Sequence, residues 1–375
     1  MPSLRPTLLA AAVLSVGLAA CQPQTAPAPT DTKATAAAPA SDPAVDARLS
    51  EISQQWLDGW FRLNPVSATQ IGKHDYDSQI DDLSAAGRQA QVDFAKKTLA
   101  ALDGIDTSKL SRENQIDAAI LRNQVQGDIW SIDTLQSWAW DPQVYSGLAG
   151  GAIYNVMARE FAPMPQRLKS ATARMQKIPT IYAQMRENLD PARVPKIHAE
   201  TVAKQNAGIL SLIDTFITPN ADQLQGEDRK QLDEAVANLR KAVAEQQTWL
   251  DKTLVPNAKG DFRIGQKLYD EKLQFSLNSS LSRAEIKQRA EGELTRVRGE
   301  MYAIAQTVLK DKPNAPDMPA NPSPEQQQKA IEAALELAYA DKPARDRWWT
   351  SRSRRSRRRP ISRASTTWSP CRTIR

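Results

Sequence analysis

The chain has 375 residues, enough for one large domain or two ordinary ones, and its apolar share of 41% suits a soluble core rather than a membrane bundle. The net charge is +6, but Arg347–Arg375 holds ten Arg and no Lys, Asp or Glu, so residues 1–346 carry −4. The basic balance therefore belongs to the tail, and it excludes the body as a nucleic-acid-binding surface built on charge.

Residues 1–20 read as an export leader. Arg5 precedes an apolar run from Leu8 to Leu18, too short to span a bilayer. Leu18-Ala19-Ala20-Cys21 has the pattern of a bacterial lipobox. It predicts cleavage before Cys21 and a diacylglycerol thioether on its sulfur. Several acyl chains then anchor the protein to a membrane where a single chain would be marginal. Gln22, rather than Asp, follows the cysteine. That predicts an outer-membrane lipoprotein facing the periplasm. Cys371 is the only other cysteine, so an acylated Cys21 leaves no intramolecular disulfide. Residues 21–43 are rich in Pro, Ala and Thr and poor in large apolar side chains, the composition of a disordered tether.

From about residue 44 to 346 the periodicity is helical. Leu49, Ile52, Trp56, Leu57 and Trp60 share one helical face, and Asn64-Pro65 ends the run. Val92, Ala95, Leu99 and Leu102 mark a second stripe, and Ile116, Ile120 and Val125 a third. Leu168, Ala171, Met175 and Ile178 mark a fourth, expected to stop at Pro179. Leu232, Val236, Leu239, Val243 and Leu250 follow. Ser282 and Glu285 form a capping box before a stripe of Ile286, Ala290, Leu294, Val297, Met301 and Val308. Ser323-Pro324 opens a last helix to about Ala340. The one short candidate strand lies around Phe262–Leu268. The fold class expected is all-α, or nearly so, with long helices and Pro-marked joints.

The tail from about Arg347 reads as out of frame. Trp has the single codon TGG, so Trp348-Trp349-Thr350 shifted by one base encodes an apolar residue, Val and Asp, an ordinary helical continuation. The Arg runs become Ala and Pro in the same shift. The competing reading is a disordered basic arm that binds phosphate groups, in an exported protein lipid phosphates rather than nucleic acid.

Chemistry-bearing constellations are sparse. There are two His, His74 and His198, with no His-Glu-x-x-His, paired Cys, EF-hand, Gly-x-Ser-x-Gly or Walker pattern. "GKHDYDSQIDD" gathers His74, Asp75, Asp77, Asp81 and Asp82, either a hard-cation site or, in the plainer reading, a solvated turn. Trp130, Trp138, Trp140, Tyr145 and Tyr154 either line a ligand cleft or fill a core. Gly147, Gly150 and Gly151 point to close packing or a bend.

"NPVSATQIGKHDYDSQIDDLS", "LSRENQIDAAIL", "RMQKIPTIYAQMRENL", "GDFRIGQKLYDEKLQFSLNSSLSRAEI" and "ELTRVRGEM" together resemble bacterial domain-of-unknown-function family 885, from about Val45 to Arg347. The resemblance implies a largely helical, zinc-metallopeptidase-like lipoprotein acting on peptides. It implies a zinc site at a His-Glu-x-x-Pro-Gly-His stretch further toward the carboxyl end, which is not present here. The expectation is thus a lipid-anchored amino-terminal portion of such a protein, cut short by a frameshift and inactive as a zinc hydrolase, with no cofactor in this chain. The alternative is a helical binding or scaffold lipoprotein without catalytic activity. Within "GDFRIGQKLYDEKL", Arg263 and Tyr269 are the candidate cleft residues.

Overall fold

A computed structural model describes residues 41–340 and Lys342. The leader, Cys21, most of the tether and the Arg-rich tail lie outside the described residues. Within them the fold is all-α, with no strand.

Helix α1 (Pro43–Leu63) starts at the end of the expected tether, capped by Asp42, whose Oδ1 accepts the Ala44 N–H at 2.9 Å. Helix α2 (Pro65–Gln70) follows after Asn64. Helices α3 (Ala85–Asp103) and α4 (Arg112–Trp130) open on the serine caps Ser84 and Ser111. Helices α1, α3 and α4 enclose one core around Leu49, Ile52, Leu102, Leu121 and Val125. Here the third stripe needs correction. Ile116 and Ile120 are 45% and 53% exposed, and α4 faces the core with Ala118, Leu121 and Val125. Those three share one face at i, i+3 and i+7, a narrower set than the bulkier isoleucines suggested.

Ser131–Leu135 forms a π turn, followed by α5 (Ser137–Trp140) and α6 (Gln143–Met157). Glycines 147, 150 and 151 lie inside α6. A Cβ on Gly147 or Gly150 would meet nothing, and one on Gly151 would make an ordinary contact with Val66. Neither a bend nor close packing demands them.

Helix α7 (Met164–Asn188) is the axis of the main core. It packs against α6 on one side and α10 (Gly226–Trp249) on the other. Leu168, Ala171, Met175 and Ile178 are buried as expected. Pro179, however, does not stop the helix. Ile178, Ile181, Tyr182 and Met185 flank it and are buried. Their burial, at about 1.5–3 kcal/mol per large apolar side chain, outweighs the roughly 3 kcal/mol of an internal proline.

Helices α8 (Lys196–Gln205), α9 (Gly208–Leu212) and α11 (Val255–Asn257) complete the body, with further π turns at Ile213–Ile217 and Leu250–Leu254. The expected strand near Phe262–Leu268 does not form. One isolated parallel bridge, Pro195 with Gly260, precedes the stretch, and α12 (Gln266–Leu277) starts inside it.

Helix α13 (Arg283–Leu309) carries the expected capping box, Glu285 N–H to Ser282 Oγ at 3.2 Å and Ser282 N–H to Glu285 Oε2 at 2.8 Å. It pairs with α14 (Pro324–Ala340) through Tyr302, Ala305, Leu309, Ala330 and Ile331. The anticipated stripe is not the buried one. Leu294 is 59% exposed, and Ala290, Met301 and Val308 are also exposed. Among the described residues α13 buries side chains only in its last third, and the seam lies one register aside, at 302, 305 and 309.

Candidate cleft and the buried arginine clasp

Two arrangements of polar side chains stand out. The first is the segment 65–84, which holds "GKHDYDSQIDD". Arg174 on α7 is fully buried and reaches into it. Its Nε donates to Gln79 O at 2.8 Å, one Nη to Ala152 O at 3.2 Å, and the other to Pro65 O at 3.0 Å and Thr69 Oγ1 at 2.7 Å. Thr69 passes its own proton to Asp77 Oδ1 at 2.6 Å, and Asp77 Oδ2 lies 3.0 Å from His74 Nδ1. Asp81 Oδ2 accepts the Val66 N–H at 3.0 Å. Further along α7, Lys177, Gln184 and Asn188 bond the same segment at Ser78 O, the Leu83 N–H and Leu83 O. Spacings of three, seven and four residues keep these side chains on one face of α7.

The acidic turn is therefore only partly solvated: Asp75 and Asp82 are exposed, whereas Asp77 and Asp81 turn inward, and no metal-binding group forms among the described residues. Asp77 and Asp81 are buried and their oxygens are used internally. Burial pushes Asp81 up from 3.8 to about 6, with the Val66 N–H and Arg174 pulling the other way. Burial also brings Arg174 down to about 10, opposed by Asp77 and Asp81. Sequence reading missed Arg174, although a signal exists: it sits at i+3 from Ala171 and i−4 from Ile178, on the buried stripe.

The second arrangement is an open cleft of about 690 Å³. It begins at the Pro195–Gly260 bridge, where the Gly260 N–H donates to Val194 O at 2.9 Å. A Cβ at residue 260 would lie 1.9 Å from Arg193 O, so only glycine permits this approach. The chain then crosses Asp261–Ile264. The Arg263 N–H is turned onto Asp261 Oδ1 at 3.0 Å, and its guanidinium lies 4.3 Å from the Phe262 ring centroid. Gly265, at φ +83°, redirects the backbone into α12.

Helix α12 presents Tyr269, Lys272, Leu273 and Ser276 to the cleft, one face at i, i+3, i+4 and i+7. Residues 271 and 275 hold it to α4. Trp130 Nε1 donates to Glu271 Oε2 at 2.7 Å, and Asn123 Nδ2 to Phe275 O at 2.9 Å. Trp140 and Arg283 close the ends, and Arg283 pairs with Asp270. The lining thus contains Arg263, Lys272 and Arg283, with aromatic faces from Trp140, Phe262 and Tyr269 and no carboxylate.

Both candidate cleft residues, Arg263 and Tyr269, line this one cleft. Lys272 and Ser276 were missed, though the helical repeat from Tyr269 points to them. Of the five aromatics between 130 and 154, only Trp140 reaches the cleft. Tyr145 is fully buried with its hydroxyl on Trp138 O at 2.6 Å, Trp138 lies 3.8 Å under the Arg88 guanidinium, and Tyr154 is exposed.

The residues present do not fit zinc. His74 is bonded to Asp77 and stacked on Phe161, ring centroids 3.6 Å apart. His198 belongs to a different niche beside Trp140, its buried Nδ1 3.4 Å from Asp141 Oδ1 without hydrogen-bond geometry. Among the described residues no three His, Cys, Asp or Glu converge on one point.

Comparison with known proteins adds three findings. No curated protein matches the chain. A solved structure, "a putative lipoprotein of unknown function from Shewanella oneidensis", superposes with a TM-score of 0.69 at 26% identity, over 82% of this chain and 56% of that one. The chain thus spans little more than half the length of that relative. The family described as "Bacterial protein of unknown function (DUF885)" matches residues 65–362, from the start of α2 past Asp346 into the Arg-rich segment. With the match running from the arginine-clasped segment through the cleft and beyond α14, the chain belongs to this bacterial family of unknown function.

Proposed function

We propose that this chain is a lipid-anchored protein of the bacterial cell envelope whose helical body binds a carboxylate-bearing peptide without hydrolysing it. The observation that carries the binding reading is the cleft around Arg263 and Tyr269. Its three cations and three aromatic faces suit an anionic group on a partly apolar ligand: Lys272 has no ion-pair partner among the described residues, while Arg263 and Arg283 each pair with a carboxylate outside the lining, Asp261 and Asp270. The peptide class rests on the family resemblance to metallopeptidases. Binding without hydrolysis rests on the two imidazoles, which sit in separate niches, His74 bonded to Asp77 and stacked on Phe161, His198 beside Trp140.

The anchor rests on Leu18-Ala19-Ala20-Cys21 and on the lipoprotein description of the Shewanella oneidensis relative. Gln22 favours the outer membrane, facing the periplasm. No helix among the described residues is long and apolar enough to cross a membrane.

Calorimetric titration of the full chain, extracted in detergent, tests the reading. A short peptide with a free carboxyl terminus is expected to bind about tenfold more tightly than its amide, a difference of ~1.4 kcal/mol. Arg263→Ala is expected to erase that preference. Equal binding of the two peptides overturns the cleft assignment. A chelator-sensitive peptidase activity with stoichiometric zinc overturns the non-hydrolytic part. Labelled fatty acid retained by Cys21→Ser overturns the anchor.

A further inference from the structure

A separate crevice lies at the opposite side of α4 from α12, between α1, α3 and the π turn after α4. Its walls include the rings of Trp56, Trp60 and Phe94, and Asp128 stands among them. Its volume is about 130 Å³, the scale of a small head group rather than a peptide. The aromatic wall is built, not incidental. The Phe94 ring edge lies against Gly59, where a Cβ would meet it at 2.3 Å. Trp56 and Trp60 are one turn apart on α1, ring centroids 6.5 Å from each other.

Asp128 is half-buried, and among the described residues its carboxylate receives a single hydrogen bond, from Gln124 Nε2 at 2.8 Å. No Lys, Arg or His of the described residues pairs with it. Burial pushes its carboxyl up from the ordinary value. A partly desolvated carboxylate that shares a crevice with three aromatic side chains is the complement of an alkylammonium ion. The faces attract the cation through their quadrupoles, the alkyl groups replace water against the rings, and the carboxylate regains a counter-charge.

We propose that the Trp56–Trp60–Phe94–Asp128 crevice is a binding site for a small organic ammonium group. A free amine solute and a lipid head group share that chemistry.

Tryptophan fluorescence of the full chain reports the site directly, because Trp56 and Trp60 line it. Choline chloride, titrated against sodium chloride at equal ionic strength, is expected to give a saturable change. The neutral isostere 3,3-dimethylbutanol should bind about tenfold more weakly, as should choline to Asp128→Asn. The substitution replaces a carboxylate by an amide of the same shape, so folding is retained and checked by far-UV circular dichroism. Gly59→Ala, which displaces Phe94, provides a second variant with weakened binding. Dihexanoyl phosphatidylcholine separates the sources: competition with choline assigns a lipid head group, and its absence a free amine. Lack of a saturable change with choline, or equal affinity for the neutral isostere, overturns the proposal.

Discussion

Arg174 shows how one side chain can organise a short helix and the irregular chain that follows it. Its guanidinium donates to carbonyls of Pro65, Gln79 and Ala152, so its own buried N–H groups, which would be costly left unpaired, are satisfied. Arg174→Ala is expected to destabilise the fold by about 3–5 kcal/mol, read as a fall in the urea midpoint. Asp81 carries the opposite lesson. Its folded-state carboxyl titrates near 6, above the ordinary 3.8, so the native state binds the proton more tightly than the unfolded chain. Its contribution therefore favours the native state increasingly as pH falls from above 6 toward 4. Above 6 the charged form is a constant burden of up to about 3 kcal/mol. Asp81→Asn should accordingly stabilise the protein at pH 7.5, by no more than that, and the gain should vanish by pH 4. Parallel urea titrations of both proteins at the two pH values decide it, and an unchanged difference between them refutes the assignment.

At the scale of elements, the cleft depends on a connector as much as on its helix. Residues 258–265 form no helix or strand and are fixed by the buried Ala258, the Lys259 N–H on Pro191 O at 3.3 Å, the Pro195–Gly260 bridge and the close approach of Gly260 to Arg193. Gly260→Ala puts a methyl group on Arg193 O and is expected to break the bridge. The expected outcome is a loss of at least about tenfold in peptide affinity, roughly 1.4 kcal/mol, with the main core intact by near-UV circular dichroism. The cap of α13 is more modest. Ser282→Ala removes one side-chain acceptor and should cost about 1 kcal/mol of helix stability. Hydrogen exchange confined to the first turn of α13 is the measurement that sees it.

For the whole molecule, the distribution of burial is uneven. The α6–α7–α10 body is densely packed, whereas no residue of α12 is buried and α13 buries residues only in its last third. Leu294 and Ile304 are 59% and 62% exposed on α13. Replacing both by Gln is expected to change folding stability by less than about 1 kcal/mol, as for other exposed sites. It should also lower the binding of a hydrophobic dye and any concentration-dependent association seen by sedimentation.

The sequence by itself determined the helical class, the principal helices and several of their ends. Local rules suffice for these: the 3.6-residue spacing of Leu168, Ala171, Met175 and Ile178, and the reciprocal hydrogen bonds of Ser282 and Glu285, act within a turn or two of chain. The motif containing Arg263 and Tyr269 was legible too, although nothing local said that Trp140 would form the far wall. Only the tertiary structure decided which face of each helix is covered. The α4 isoleucines and the α13 stripe are as apolar as any core stripe, but among the described residues Ile116, Ile120, Leu294, Met301 and Val308 stay exposed. Pro179 lies inside α7 because its flanks are buried by α6 and α10, a gain no local rule counts. The acidic turn at 74–82 has the composition of solvated chain. Its Asp77 and Asp81 are nevertheless buried, because Arg174, nearly a hundred residues later, supplies a counter-charge to both and donors to the carbonyls of Tyr76 and Gln79. Burial and long-range pairing are properties of the assembled chain, and they separate a clasp from a turn and a cleft from a connector.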